Sequence, residues 1–190
     1  MKQIPNILTI LRFILTGFFI CFFLEGDGIG FVFATVCFLL AALSDWLDGY
    51  LARKYNVVSS FGKIMDPIAD KFLMLSAFGL FSWEGIMPWW MFWVISAREI
   101  GLTAFRLVAV AKGKVLAAER AGKLKTVLQM TTALVILFCM DILFGPFRVA
   151  WPVVEACIDM MPFLLYLTVL VTLVSGISAL WNNRTVFKLR

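Results

Sequence analysis

The 190-residue chain contains no histidine, which removes imidazole from the roles it usually fills as metal ligand, general base and pH switch. Cysteine is sparse: Cys21, Cys37, Cys139 and Cys157 are scattered without C-x-x-C spacing, so neither a zinc site nor a disulfide framework is expected and all four are read as packing residues. Charge is also scarce, with 15% of residues Asp, Glu, Lys or Arg against about 25% in soluble domains. Chemistry in such a chain falls to carboxylates, lysine, arginine and bound metal.

Hydrophobic residues make up 62% of the chain, well above the ~45–50% of soluble domains, which points to an all-α integral membrane protein with no room for a soluble catalytic domain. Polar or glycine-containing breaks near Glu25 to Gly30, Lys54 to Ser60, Ser82 to Pro88, Lys112 to Glu119 and Asp141 to Pro152 divide one domain, residues 1–190, into six expected spans. Each is roughly 20 residues or longer, enough to cross a ~30 Å hydrocarbon core. The stretch after Lys2 carries Asn6, Thr9 and Arg12 and has no convincing cleavage site, so it reads as a retained first helix rather than a secretory signal.

Basic residues gather at the N-terminus, at Arg53 to Lys63, at Arg106 to Lys125 and at Arg184 to Arg190, while the alternate breaks are mostly acidic. The positive-inside tendency then places both termini in the cytoplasm, with Trp83, Trp89, Trp90, Trp93 and Trp151 at the outer interface. The net charge of +5 is spread over membrane edges, which favours anionic lipid head groups and phosphate substrates over nucleic acid.

The informative polar residues read Asp45-x-x-Asp48-Gly49-x-x-Ala52-Arg53, then Gly62-x-x-x-Asp66-x-x-x-Asp70. Asp45 and Asp48, three apart, share one helix face, as do Asp66 and Asp70, four apart. The short connection from Lys54 to Phe61 predicts antiparallel packing that brings the four carboxylates together. An unpartnered charge in a bilayer costs at least ~2.5 kcal/mol, so four in one place require cations or protons. Oxygen-only ligands select hard cations such as Mg²⁺ or Mn²⁺, and a pair of ions suits phosphoryl chemistry.

Gly49 and Ala52 remove bulk where a nucleotide or a neighbouring helix approaches, and Arg53 offers a fork for phosphate oxygens. The alternative is that Gly49 and Gly62 serve helix packing while Arg53 snorkels to the interface. Pro67 predicts a helix start or a kink that aims Asp66. In the first helix Asn6, Thr9, Arg12 and Thr16 form a polar stripe, which either contacts a nucleotide or diphosphate or is the wet face of an interfacial helix.

Arg98 falls near mid-membrane, where an arginine faces a cavity or pairs with Glu99 or an aspartate. Arg120, Lys123 and Lys125 crowd the start of the fifth span, where they serve either an acceptor phosphate or orientation alone.

At every specified position from Asp45 to Asp70 the chain resembles the CDP-alcohol phosphotransferase family, and the likeness extends from Ile4-Pro5-Asn6 and Leu8-Thr9-Ile10-Leu11-Arg12 through Arg98-Glu99-Ile100 to Gly122-Lys123-Leu124-Lys125-Thr126. The resemblance implies six transmembrane helices, commonly a homodimer, and a polar cavity open to the cytoplasm. It implies Asp45, Asp48 and Asp66 as metal ligands and Asp70 as general base that also touches metal, with two Mg²⁺ or Mn²⁺ ions per site. Among the substrates it implies are CDP-diacylglycerol, met by Gly49, Ala52, Arg53, Gly62, Asn6 and Thr9, and glycerol 3-phosphate, met by Arg98, Arg120, Lys123 and Lys125. A bacterial inner membrane is the expected location. Other acceptors within the family, namely phosphatidylglycerol, serine or inositol phosphate, stay open, as does a cation or proton transporter built on the same carboxylates.

Overall fold

A computed structural model describes residues 4–55, 60–111, 120–146 and 150–183, with side chains left undescribed at 4–6, 46, 48–55, 60–67, 106–108, 110–111, 120–121 and 123. The chain forms six helices: α1 (Ile4–Glu25), α2 (Gly28–Tyr55), α3 (Ser60–Trp83), α4 (Trp89–Ala111), α5 (Arg120–Phe144) and α6 (Trp151–Asn182). Their limits fall at the expected breaks. Lys112, Lys114, Arg148 and the tail from Arg184 lie outside the described residues.

Four helices are long and apolar enough to cross a membrane, over Ile7–Glu25, Gly28–Asp45, Leu124–Phe144 and Trp151–Asn182, among the described residues. The other two, α3 and α4, carry Asp66, Asp70 and Lys71, and Arg98, Glu99 and Arg106. Their lower hydropathy has the same origin as their chemical interest.

The helices are inverted relative to those of a soluble bundle. α1 exposes Ile7, Ile10, Ile14 and Phe18 and buries Thr9, Arg12, Thr16, Phe19 and Phe23, both sets at helical spacing. α6 exposes Phe163, Tyr166, Leu170, Val174 and Ile177 while burying Thr168, Thr172 and Ser175. Greasy faces turned outward and hydroxyls turned inward are the arrangement a bilayer favours, because lipid tails welcome the first and cannot satisfy the second.

The interior is graded from end to end. Towards the tryptophan-bearing end lie Phe19, Phe23, Phe31, Phe38, Phe78 and Phe81, all buried, with the Phe23 ring 5.4 Å from Phe31 and 6.0 Å from Phe81. Ala34, Ala41 and Ala77, fully buried, let backbones approach between them. Gly26 turns α1 into α2 at φ +70°, a conformation glycine adopts without a Cβ penalty. Gly28 lies so close to the Phe144 carbonyl that a Cβ there would collide with backbone.

α1 lies extensively against both α2 and α3, whereas α2 and α3 touch only over a short stretch among the described residues. The two aspartate-bearing helices are therefore bridged by the first helix as much as by each other. Within α3 the helix begins at Ser60 and runs through Pro67, so the proline is not a helix start. Its missing N–H removes one ladder bond without ending the helix.

Candidate active site

Of the four aspartates, Asp45 and Asp70 are described with their side chains. Asp48 lies on α2 and Asp66 on α3; their side chains, and those of Asn6, Gly49, Ala52, Arg53, Gly62, Arg120 and Lys123, lie outside the described residues. The described residues by themselves hold no cluster of three or more metal-ligating side chains.

Asp45 directly follows the buried Ser44 and meets α1. Arg12 Nη2 stands 2.8 Å from Asp45 Oδ1, at an angle outside hydrogen-bond geometry, and the Arg12 Nε and Nη1 atoms are buried without a hydrogen-bond partner. The guanidinium is fully buried, while the Asp45 carboxylate is 45% exposed. The polar stripe of α1 is thus an interior stripe: Thr9, Arg12 and Thr16 are all at 0% exposure, and Thr16 Oγ1 donates to the Arg12 carbonyl at 2.8 Å. This disposes of the wet-face alternative for these three residues.

A second polar cluster joins α4, α5 and α6. Glu99 Oε1 accepts from Arg98 Nη1 at 3.0 Å and from the Lys125 ammonium. Arg98 Nη2 donates to Ser175 Oγ at 3.0 Å, whose hydroxyl donates to the Thr172 carbonyl at 3.0 Å. Farther along the α5–α6 seam, Gln129 Nε2 donates to Thr172 Oγ1 at 3.2 Å, and the Thr132 and Thr168 hydroxyls share a 2.7 Å hydrogen bond. Glu99, Lys125, Gln129 and Thr132 are all buried. Arg98 therefore takes the paired option foreseen for it, with Glu99, and gains Ser175, a partner 77 positions away that periodicity cannot announce.

Two relationships connect the clusters. Lys125 is within electrostatic reach of Asp70, and Glu99 within reach of Lys71. The next residue of α5, Thr126, lines a groove of about 380 Å³ between α2 and α5 together with Asp45, Leu39, Leu43, Met130 and Leu134. Asp45 thus shares a groove with Thr126 of α5, and Asp70 is within electrostatic reach of the preceding residue, Lys125. A second groove of about 390 Å³ runs between α4 and α6 past Arg98, Gly101, Leu102, Gly176 and Leu180.

The chemistry of the two described aspartates suits a hard divalent cation. Their donors are all oxygen, no imidazole competes, and neither Asp45 nor Asp70 is sealed from its surroundings.

The CDP-alcohol phosphatidyltransferase profile matches residues 2–181, nearly the whole chain. The chain belongs to this family. It is 37% identical over 178 residues to a probable phosphatidylglycerophosphate synthase of Mycobacterium tuberculosis (strain H37Rv), covering 92% of this chain and 78% of that protein. It is 36% identical over 138 residues to the CDP-diacylglycerol–glycerol-3-phosphate 3-phosphatidyltransferase of Bacillus subtilis (strain 168), covering 66% and 72%. A Rickettsia typhi protein of the same name is 38% identical over 131 residues, covering 68% and 73%. In the fold, α1 meets the first aspartate of the motif through Arg12, and α5 brings Lys125 within electrostatic reach of the last.

Proposed function

We infer that this member of the family transfers the phosphatidyl group of CDP-diacylglycerol to glycerol 3-phosphate, giving phosphatidylglycerol phosphate and CMP in phospholipid biosynthesis. The family match and the relatives named for this reaction support it. The observation in the fold that supports the reading is that Asp45 shares a groove with Thr126 of α5 while Asp70 lies within electrostatic reach of the neighbouring Lys125.

Asp45, Asp48, Asp66 and Asp70 would hold two Mg²⁺ or Mn²⁺ ions, which neutralise a diphosphate and make CMP a competent leaving group. We assign Asn6, Thr9, Gly49, Ala52, Arg53 and Gly62 to the binding of the cytidine diphosphate. Asp70 takes the proton of the acceptor hydroxyl as that oxygen attacks the phosphorus bearing the lipid. Arg98, Arg120, Lys123 and Lys125 supply positive charge for the phosphate the acceptor already carries, which the metals alone do not serve. The groove that leaves Asp45 between α2 and α5 is apolar along most of its length, the lining an acyl chain requires.

In the bilayer all six helices span. At 24 and 23 residues, α3 and α4 extend about 35 Å, longer than a ~30 Å hydrocarbon core. Both termini and the site face the cytoplasm of a bacterial inner membrane, and the protein is a homodimer. The exposed Trp83, Trp89, Trp90, Trp93 and Trp151 support this orientation by marking the opposite interface.

The test is purified protein in detergent with CDP-diacylglycerol, Mg²⁺ and competing acceptors. CMP release that requires all three components and prefers glycerol 3-phosphate over glycerol, serine, inositol phosphate and phosphatidylglycerol is the expected result. Preference for another acceptor would reassign the substrate, and cation flux without CMP release would replace the enzyme reading with a transporter.

A further inference from the structure

One carboxylate serves two cations in the α4–α5–α6 cluster. Glu99 Oε1 accepts from both Arg98 and Lys125, so these three residues together carry an excess positive charge in a buried setting. Such an excess is unfavourable on its own and favourable beside an anion.

Donors remain for that anion. Arg98 Nε is buried and without a hydrogen-bond partner, and an ammonium has three donors, of which Glu99 takes one from Lys125. The guanidinium is also held from its other side. Ser175 accepts from Nη2, and the backbone of Gly176 comes so near that a Cβ there would stand 3.1 Å from Arg98 Cγ. The two cations are thus held by neighbours on α4 and α6, with Asp70 in electrostatic reach of Lys125.

We propose that Glu99 is a positioning residue of the acceptor site: it holds the Arg98 guanidinium and the Lys125 ammonium side by side as a preformed fork for the acceptor's phosphate. The proposal rests on the reading of Arg98 and Lys125 as acceptor contacts. A phosphate dianion entering the fork meets donors already oriented, so little side-chain freedom is lost on binding. Because Glu99 cancels only one of the two charges, the fork keeps its attraction for phosphate while avoiding two uncompensated buried cations. A neutral acceptor has no comparable claim on it.

Steady-state kinetics on Glu99→Gln, Glu99→Asp, Arg98→Ala and Lys125→Ala test this, with inorganic phosphate as competing anion. Glu99→Gln keeps the size of the side chain but not its charge. It is expected to raise the KM for glycerol 3-phosphate about tenfold and to weaken phosphate inhibition in parallel, with kcat and the KM for CDP-diacylglycerol within about twofold of the parent. Glu99→Asp should restore part of the acceptor KM.

If Arg98→Ala and Lys125→Ala raise the acceptor KM but Glu99→Gln does not, the positioning role is overturned and the acceptor contacts stand. If Arg98→Ala and Lys125→Ala leave the acceptor KM unchanged, the contacts themselves fail and the proposal fails with them. Losses in Glu99→Gln that fall equally on both substrates and accompany a lower Tm would identify a purely structural role.

Discussion

Arg12 of α1 and Asp45 of α2 meet at 2.8 Å, joining a fully buried guanidinium to the first carboxylate of the motif. The pair gives Asp45 a counter-charge from the protein itself and ties the first helix to the site. Its off-line angle and the unpartnered Nε and Nη1 make it a charge contact rather than a bidentate clamp.

Arg12→Gln should therefore lower stability by about 1–3 kcal/mol, towards the lower end because one partner is partly exposed. Thermal unfolding in detergent checks it. If Asp45 binds metal, saturating Mg²⁺ should recover part of the lost Tm. A variant with an unchanged Tm at every Mg²⁺ concentration would show that the pair contributes nothing.

Asp48→Asn should insert and fold normally yet lose nearly all turnover, at least a thousandfold by analogy with other essential catalytic groups (about 4 kcal/mol in the barrier). CMP release by purified variant protein is the measurement. Robust activity would contradict the metal proposal.

Chelation by EDTA should abolish CMP release, and Mg²⁺ or Mn²⁺ should restore it, because oxygen-only ligands favour hard cations. Undiminished turnover in EDTA would count against metal assistance.

The Thr132–Thr168 hydroxyl pair, 2.7 Å apart and buried, should contribute modestly to the α5–α6 interface. A double-mutant cycle with Thr132→Val and Thr168→Val is expected to give a coupling of about 0.6 kcal/mol, the usual scale inside membranes. A coupling indistinguishable from zero would place those hydroxyls apart.

Gly176→Val should raise the acceptor KM several-fold, since added methyls would enter space used by the Arg98 stem. The effect should be absent when Arg98 is already alanine.

The helix limits were legible because glycine, proline and charge interrupt otherwise continuous apolar runs: the break at Glu25 to Gly30 separates α1 from α2, and that at Ser82 to Pro88 separates α3 from α4. The inward direction of the Thr9–Arg12–Thr16 stripe was half legible. Its spacing defines one face, but only the neighbours of α1 decide whether that face is wet or enclosed. Pro67 misled as a possible helix start because its local preference was overridden by residues Ser60 to Asp66, which continue the helix ahead of it. Arg98 with Glu99 could be foreseen from adjacency in sequence, whereas Lys125 with Glu99 and Arg98 with Ser175 join distant helices and leave no periodic trace. Of the motif itself, spacing predicts one helix face for Asp45 with Asp48 and one for Asp66 with Asp70; the Asp48 and Asp66 side chains lie outside the described residues. The share of α1 in bridging their two helices does not follow from spacing.

The bridging position of α1 bears on the order in which the protein is made. The first helix leaves the ribosome before either acidic helix, so Arg12 is already in place when Asp45 emerges. The counter-charge for that carboxylate is thus part of the chain before α3 to α6 have been made.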